Sequence, residues 1–292
     1  MLLGLVCLAS VAVLAFVLLA AFAGGQQDEP FVRGSASDEP AEPTNPDARP
    51  VDPSRFRAVL QANTLYQQGG LQDRGCVAAK LDNAETEAQQ RYYERLMDCL
   101  DRAWEPLIRS AGYAYATPTL LVFEDPISTP CGTAAPRDGR TLAFYCPTDS
   151  VLYADAPQMR RFFNDVEMAY AVVIGHEFGH HVQQETGILA ASDDAVYARF
   201  GDRFELSRRV ELQASCMSGL FLGAVAATYP ITEGDFVELR QVSLAFGDEP
   251  SAPDNRRDHG SGRSNQEWIL SAFDDNDVAH CNTFTAAADE VD

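Results

Sequence analysis

Two of the five histidines in the chain stand four residues apart, in the segment 176–180 with the sequence HEFGH. On an α-helix, His176 and His180 would project from one face, one turn apart, so that both imidazoles could bind the same metal ion. Glu177 would lie about 100° round the helix from His176, close enough to hold a water molecule without itself binding the metal. This spacing predicts a Zn²⁺ site with Glu177 as the catalytic residue.

A catalytic zinc ion usually has three protein ligands and one open position, so a third ligand must come from elsewhere in the chain. Neither His181 nor Glu185 projects from the required helix face, and we expect His181 to have a packing or supporting role. Glu211 is our predicted third ligand, because it opens a helical segment that becomes small and apolar, where a carboxylate needs a partner. A salt bridge from Glu211 to a nearby arginine is the alternative.

A metal-dependent hydrolase also benefits from a side chain that hydrogen-bonds the oxyanion formed during the reaction. We predict His259 for this catalytic role, followed by Tyr229. The alternative is that His259 is a solvated loop residue, since it lies in a polar segment.

The pattern of apolar residues predicts the elements that hold these groups. Apolar residues at 92, 96, 100, 104 and 108 indicate a helix that ends near Gly112, and the runs 119–123, 141–146 and 151–153 indicate strands. A capping box at 155–158 should open one long helix that continues through the histidine motif to about Gly187. We predict a further helix over 205–228 and a shorter one that starts at a capping box at 264–267. The predicted fold class is α+β, mostly helical, with a small β-sheet.

The net charge of the 292-residue chain is -21, from 22 basic and 43 acidic residues, which argues against nucleic acid as a partner. Residues 1–25 are apolar and predict a transmembrane anchor, with a cleaved signal peptide as the alternative; the protein would be membrane-anchored outside the cytoplasm or secreted. Residues 26–53 are predicted to be a disordered linker rich in proline and acidic residues. The folded domain should span 54–285, followed by an acidic tail at 286–292.

Six cysteines remain beyond Cys7, which lies in the apolar N-terminal segment. They lack the paired CxxC spacing of a structural zinc site, so we expect disulfides in an oxidising compartment. Spacing alone leaves their pairing open. The six are Cys76, Cys99, Cys131, Cys146, Cys216 and Cys281.

The segments 173–183 (VIGHEFGHHVQ) and 211–214 (ELQA) resemble the bacterial neutral zinc metallopeptidase family. Further similar positions are Cys131-Gly132, the FYCP at 144–147, Tyr153, His259-Gly260, Trp268 and the CNTF at 281–284. The resemblance implies a zincin-like fold, single-pass membrane attachment, and the ligand set His176, His180 and Glu211 with Glu177 as the catalytic residue. It also implies the disulfides Cys131–Cys146 and Cys216–Cys281, which would leave Cys76 with Cys99.

The chain departs from this family at Ser215, where members usually have an aspartate one turn after the third ligand. Loss of such a partner typically weakens metal affinity or activity about 10- to 100-fold. Our main hypothesis is a zinc peptidase that acts on peptides or proteins. The alternatives are a membrane-tethered binding or scaffold domain with weakened or lost catalysis, and a zinc hydrolase that acts on other substrates.

Overall fold

The structure is a computed structural model, and it describes residues 53–77, 80–135, 142–248 and 257–292. Eight α-helices and five β-strands lie within these ranges, so the predicted α+β, mostly helical class is confirmed. The helices are α1 (Pro53–Gln61), α2 (Thr86–Ser110), α3 (Ala156–Phe163), α4 (Glu167–Glu185), α5 (Ile188–Tyr197), α6 (Arg203–Val225), α7 (Glu233–Ala245) and α8 (Gly262–Asp275). The strands are β1 (Thr119–Phe123), β2 (Ile127–Thr129), β3 (Gly132–Ala134), β4 (Ala143–Cys146) and β5 (Val151–Asp155).

Three strands form a small sheet in the order β1-β5-β4, and β2 pairs with β3 in a separate antiparallel hairpin. β1 runs parallel to β5, whereas β4 runs antiparallel to it. The strands predicted at 119–123, 141–146 and 151–153 correspond to β1, β4 and β5. β4 forms one edge of the sheet and packs against α4, which brings the sheet next to the histidine motif.

The prediction of one long helix from Asp155 to Gly187 is wrong, because the structure has two helices in this segment, α3 and α4. Asp155 caps α3 as expected, with its carboxylate accepting the N–H of Gln158. The helix ends at Phe163. The next residue, Asn164, has a φ of 46°, which is outside the helical range and is better tolerated by asparagine than by most residues. The chain therefore changes direction between the two helices.

The start predicted for the last helix is also corrected. Ser261, rather than Ser264, is the N-cap of α8, and its hydroxyl accepts the main-chain N–H of Ser264. The capping pattern at 264–267 falls inside the first turns of the helix. Other boundaries agree more closely: α2 ends at Ser110, and α6 covers most of the predicted 205–228 segment.

α4 and α6 form the centre of the core. Most side chains of α4 are buried on all sides, as expected for a helix without a continuous polar face. α6 packs against α4 and also makes an extensive contact with α8. The core helices therefore bring α4, α6 and α8 together at one place.

Two glycines permit these helices to approach closely. A Cβ atom on Gly179 would lie 2.8 Å from the Cα atom of Ala214, between α4 and α6. A Cβ atom on Gly219 would lie 2.1 Å from the main-chain oxygen of Ile269, between α6 and α8. Such distances leave no room for a side chain, so the helix spacing depends on glycine at both positions.

Three disulfides join Cys76 to Cys99, Cys131 to Cys146 and Cys216 to Cys281. This confirms the pairing implied by the family resemblance. Disulfides form and persist in oxidising compartments, which indicates a location outside the cytoplasm.

The segment expected to be an acidic tail packs back onto the domain. Val291 is buried, its main-chain oxygen accepts a hydrogen bond from Arg208, and an oxygen of Asp292 accepts one from the N–H of Ser261. At the other end, the predicted anchor at 1–25 and nearly all of the linker at 26–53 lie outside the described residues. Within the part of the chain that the structure describes, none of the helices has the length and apolar character needed to cross a membrane.

Candidate metal centre

The segment 176–180 lies in the middle of α4, as the motif predicts. His176 and His180 project toward the same point, and their Nε2 atoms are 3.1 Å apart. His176 is buried, and the His180 side chain is 14% exposed, so both imidazoles are largely enclosed by the protein.

α6 brings Glu211 to the two histidines. Its Oε2 atom lies 3.2 Å from Nε2 of His176 and 3.3 Å from Nε2 of His180. Tetrahedral zinc with bonds of about 2.1 Å requires ligand atoms about 3.4 Å apart, so the three donors match the requirements of the ion. The alternative, a salt bridge between Glu211 and an arginine, is not among the ion pairs of the described residues; Arg209 pairs with Glu205 instead.

Electrostatic interactions within this cluster are strong. Burial alone would raise the pKa of Glu211, but the charges of His180 and His259 outweigh it and hold the pKa well below its ordinary value. Burial lowers the pKa of His180, and Glu211 more than offsets this, raising it to about 9. The metal-free cluster therefore holds protons that a bound cation would displace.

Glu177 contacts the sheet edge and is not one of the three grouped donors. Its Oε2 atom accepts the main-chain N–H of Tyr145, in β4, at 2.9 Å. The Tyr145 hydroxyl also lies 3.0 Å from Nδ1 of His181, one turn further along α4. Strand β4 is thus attached to α4 at two points, which orients the Glu177 carboxylate without using it as a ligand.

His181 and Glu185 lie outside the ligand cluster, as the helix geometry predicts. His181 is fully buried, and burial lowers its pKa to about 4, so its imidazole is neutral and serves packing. Glu185 accepts the main-chain N–H of Ala116. Neither residue contributes a donor atom to the cluster.

Of the two residues predicted to bind an oxyanion, the structure brings only His259 to the site. Its Nε2 atom lies 3.8 Å from Oε2 of Glu211, and its side chain is 53% exposed, so it lies between the ligand cluster and solvent. The partial burial of the His259 ring lowers its pKa, but the carboxylates of Glu211 and Asp258 more than offset this and raise it to about 10. Tyr229 instead hydrogen-bonds Tyr92, beside the first turn of α4. The Tyr229 hydroxyl contacts Glu167, the first residue of α4, which is about 14 Å along the helix from His176 at 1.5 Å per residue.

Each histidine also has a partner at its outer nitrogen, Nδ1. Gln183 accepts from His180 at 2.9 Å, and its own amide nitrogen donates to Val210 on α6. The i, i+3 spacing of His180 and Gln183 on a helix is a signal from which this contact could have been predicted. The partner of His176 is Ser215, at 3.1 Å, and Ser215 in turn contacts Asn265 on α8. No sequence pattern indicated that Asn265 contacts Ser215, because α6 and α8 meet only in the folded chain.

Two histidines one turn apart on a helix, with a carboxylate from a second helix and a glutamate beside them, are the arrangement of the HExxH class of zinc proteins. Comparison with known proteins also indicates a family of zinc proteins. A family model described as "putative neutral zinc metallopeptidase" matches residues 50–284, and the chain belongs to this family.

Individual relatives support the same assignment. The chain is 30% identical over 201 residues to the uncharacterized protein YpfJ of Escherichia coli strain K12, covering 62% of this chain and 66% of that protein. It is 27% identical over 211 residues to the uncharacterized protein Rv2575 of Mycobacterium tuberculosis strain H37Rv, covering 64% of this chain and 68% of that protein. The chain thus spans 66% of the length of the Escherichia coli relative. No solved structure gives a significant match.

Proposed function

We propose that the protein is a zinc-dependent peptidase with a zincin-like fold that hydrolyses peptide bonds outside the cytoplasmic membrane. The observation that supports this most directly is the convergence of donor atoms from His176, His180 and Glu211, all within 4.8 Å of one another. These three residues would hold the ion. When bound, zinc supplies a Lewis acid that lowers the pKa of a water molecule toward about 7 and polarises the scissile carbonyl.

Glu177 is the proposed general base. Its Oε2 atom is oriented by Tyr145, which leaves Oε1 to accept a proton from the attacking water molecule. The water oxygen bonds to the carbonyl carbon, the C–N bond breaks, and Glu177 returns the proton to the leaving nitrogen. The products are a carboxylic acid and an amine, with no covalent enzyme intermediate.

His259 is the proposed donor to the oxyanion. It lies at the rim of the ligand cluster and is half exposed, so a substrate carbonyl could reach its Nε2 atom. Its other nitrogen, Nδ1, lies 2.7 Å from Asp258, which orients the ring. A donor fixed before the substrate binds stabilises developing charge more effectively than one that must reorganise.

The hypothesis of a binding or scaffold domain without catalysis arose from Ser215, which replaces an aspartate. In the structure Ser215 still contacts Nδ1 of His176 at 3.1 Å. A hydroxyl can accept the imidazole N–H, so the substitution does not leave this histidine unsupported. The contact favours the enzymatic hypothesis.

We further propose that residues 1–25 hold the domain at the membrane and that the following segment, to residue 53, connects the two. The apolar character of the first segment and the disulfides of the domain support this arrangement. A cleaved signal peptide would give a secreted enzyme with the same active site.

The test is zinc content, measured by elemental mass spectrometry on the full chain after exposure to zinc and removal of the excess. We expect about one zinc ion per chain. Glu211→Ala should lose it. Glu205→Ala is the matched control, because Glu205 is on the same helix but pairs with Arg209 and should keep the zinc.

A peptide library then tests the reaction. Cleavage that a chelator stops and zinc restores would support the proposal. Absence of zinc from the unmutated chain would contradict the proposed site. Bound zinc without cleavage of any peptide would contradict the peptidase and favour a binding domain or a hydrolase that acts on other substrates.

A further inference from the structure

Asn265 on α8 is almost completely buried, and the orientation of its amide group is determined by its surroundings. Its Nδ2 atom lies 3.0 Å from the main-chain oxygen of His259 and 3.2 Å from that of Ser261. Carbonyl oxygens only accept hydrogen bonds, so the amide nitrogen must face them. The Oδ1 atom therefore faces the opposite way, toward Ser215.

This orientation also determines the direction of the next two hydrogen bonds. Oδ1 of Asn265 can only accept, so the Ser215 hydroxyl, at 2.8 Å, must donate its proton to it. The Ser215 oxygen then has only lone pairs for Nδ1 of His176, at 3.1 Å. Nδ1 must therefore be the protonated nitrogen of His176. With a proton on Nδ1, Nε2 is the nitrogen whose lone pair is left for a metal ion, and it is the nitrogen that lies beside His180 and Glu211, the other two proposed ligands.

We infer that Asn265 is a positioning residue that, through Ser215, selects the tautomer of His176 able to bind a metal and attaches the His259 segment to the metal centre. The inference rests on the proposed zinc site. Asn265 touches neither the substrate nor the ligand atoms, and it acts entirely through hydrogen bonds to Ser215 and to the main chain.

Ser215 alone would not select the tautomer. A serine hydroxyl can donate as well as accept, and a hydroxyl that donated to Nδ1 would favour the imidazole with its proton on Nε2. That tautomer has no lone pair for a metal on the side of Glu211. A carboxylate at position 215 would need no such help, because it can only accept. A serine at this position therefore depends on Asn265 in a way that an aspartate would not.

The same side chain connects two parts of the site that are distant in sequence. Asn265 accepts from Ser215 on α6 and donates to the main chain of His259 and Ser261, just before α8. The segment that presents His259 is thus attached to the helix that presents Glu211. Ser261 is also the N-cap of α8, so the attachment lies at a defined point of that helix.

The test is zinc affinity, measured by competition with a chromophoric chelator on the full chain. Ser215→Ala should weaken affinity about 10- to 100-fold. Asn265→Leu, which has a similar shape without hydrogen bonds, should weaken it in the same direction. In the double variant the losses should not multiply, because both changes interrupt one chain of hydrogen bonds.

A rescue experiment separates this role from a general structural one. In the Asn265→Leu background, Ser215→Asp should recover the lost zinc affinity, because a carboxylate accepts from Nδ1 without assistance. The matched control is Ser218→Ala. Ser218 is buried on the same helix, but its hydroxyl donates to the main-chain oxygen of Val172, so zinc affinity should not change.

Hydrogen exchange provides a second measurement that does not involve zinc. In the metal-free protein, Asn265→Leu should accelerate exchange of the main-chain N–H groups at 257–261, because their anchor is lost. Ser215→Ala should not, since the bonds from Asn265 to His259 and Ser261 remain. If the leucine variant does not fold, Asn265→Ala makes the same comparisons without added bulk.

The outcomes are distinguishable. If the unmutated chain binds no zinc, both the proposed function and the positioning role are wrong. If it binds zinc, and a folded Asn265 variant binds as tightly, the positioning role alone is wrong. Losses that multiply in the double variant, or failure of Ser215→Asp to recover affinity, would also overturn it.

Discussion

The main-chain N–H of Tyr145 donates a hydrogen bond to Oε2 of Glu177 over 2.9 Å. The bond joins the edge strand β4 to the centre of α4 and orients the carboxylate beside the two histidines. Every residue except proline would supply this main-chain donor at position 145, so the orientation depends on the sheet rather than on the tyrosine side chain.

We predict that Glu177→Gln abolishes peptidase activity while zinc and fold are retained. A glutamine oxygen can still accept from Tyr145, but the amide cannot take up a proton, so the loss should be about 10²- to 10⁴-fold in kcat. Steady-state peptide hydrolysis and zinc content, measured on the same preparation, check this prediction.

The control for this variant is Glu185→Gln. Glu185 is on the same helix and also accepts a main-chain N–H, from Ala116, but it is outside the ligand cluster. It should leave kcat unchanged. An active Glu177→Gln enzyme would remove Glu177 from the mechanism.

We predict that Gly179→Ala reduces both stability and zinc affinity. The new Cβ atom would lie 2.8 Å from Cα of Ala214, so α4 and α6 must separate. Glu211, three residues before Ala214, would move away from the histidines. The expected loss of stability is about 1–3 kcal/mol, measured by urea unfolding, together with weaker zinc binding in chelator competition.

Gly234→Ala is the matched control, since the nearest atom to its new Cβ is 3.6 Å away. Alanine is a better helix former than glycine, so this variant should be neutral or more stable by up to about 1 kcal/mol. Unchanged zinc affinity in Gly179→Ala would show that the helix spacing is not critical for the ligands.

The disulfides should differ in their effects on stability. Cys216–Cys281 closes a segment with a sequence separation of 65 and attaches α6 to the chain after α8, whereas Cys131–Cys146 has a separation of 15. Chain entropy predicts losses of about 4 and about 3 kcal/mol when each pair is replaced by alanine. Thermal unfolding of the two double variants shows which disulfide contributes more to stability. A larger loss for Cys131–Cys146 would contradict the entropic explanation.

Asp155 should make stability depend on pH. It is buried at the start of α3, and burial raises its pKa to about 6, whereas an unfolded chain has about 3.9. Between these values the folded state binds more protons than the unfolded state, so this contribution to stability is complete below about pH 4 and is lost as pH rises through 6.

Asp155→Asn should remove that contribution while its side-chain oxygen still caps α3. We expect the difference in free energy of unfolding, variant minus unmutated protein, to increase as the pH is raised from 4 to 7. Urea unfolding at several pH values measures the difference. A constant difference across this range would mean that Asp155 does not titrate as its burial requires.

Local patterns were sufficient for several parts of the fold. The apolar spacing over 92–108 predicted α2 to its last residues, and the segments bounded by proline and glycine predicted three strands. The failures were also local: α3 and α4 were predicted as one helix because both have helical patterns, and the positive φ of Asn164 between them leaves no clear mark in composition. The correct cap of α8 was missed because a second serine, three residues later, matched the same pattern.

The residue pattern alone indicates the chemistry available to this protein, because the period of a single helix brings His176, Glu177 and His180 together. It also indicated Glu211, since a carboxylate in an apolar segment needs a partner. Three contacts follow from the packing of the folded chain. An oxygen of Glu211 lies 3.2 Å from His176, the N–H of Tyr145 orients Glu177, and Asn265 accepts a hydrogen bond from Ser215. Those contacts join separate elements, and their distances depend on how closely α4, α6, α8 and the sheet edge pack. Such packing follows from the whole core, which no local pattern encodes.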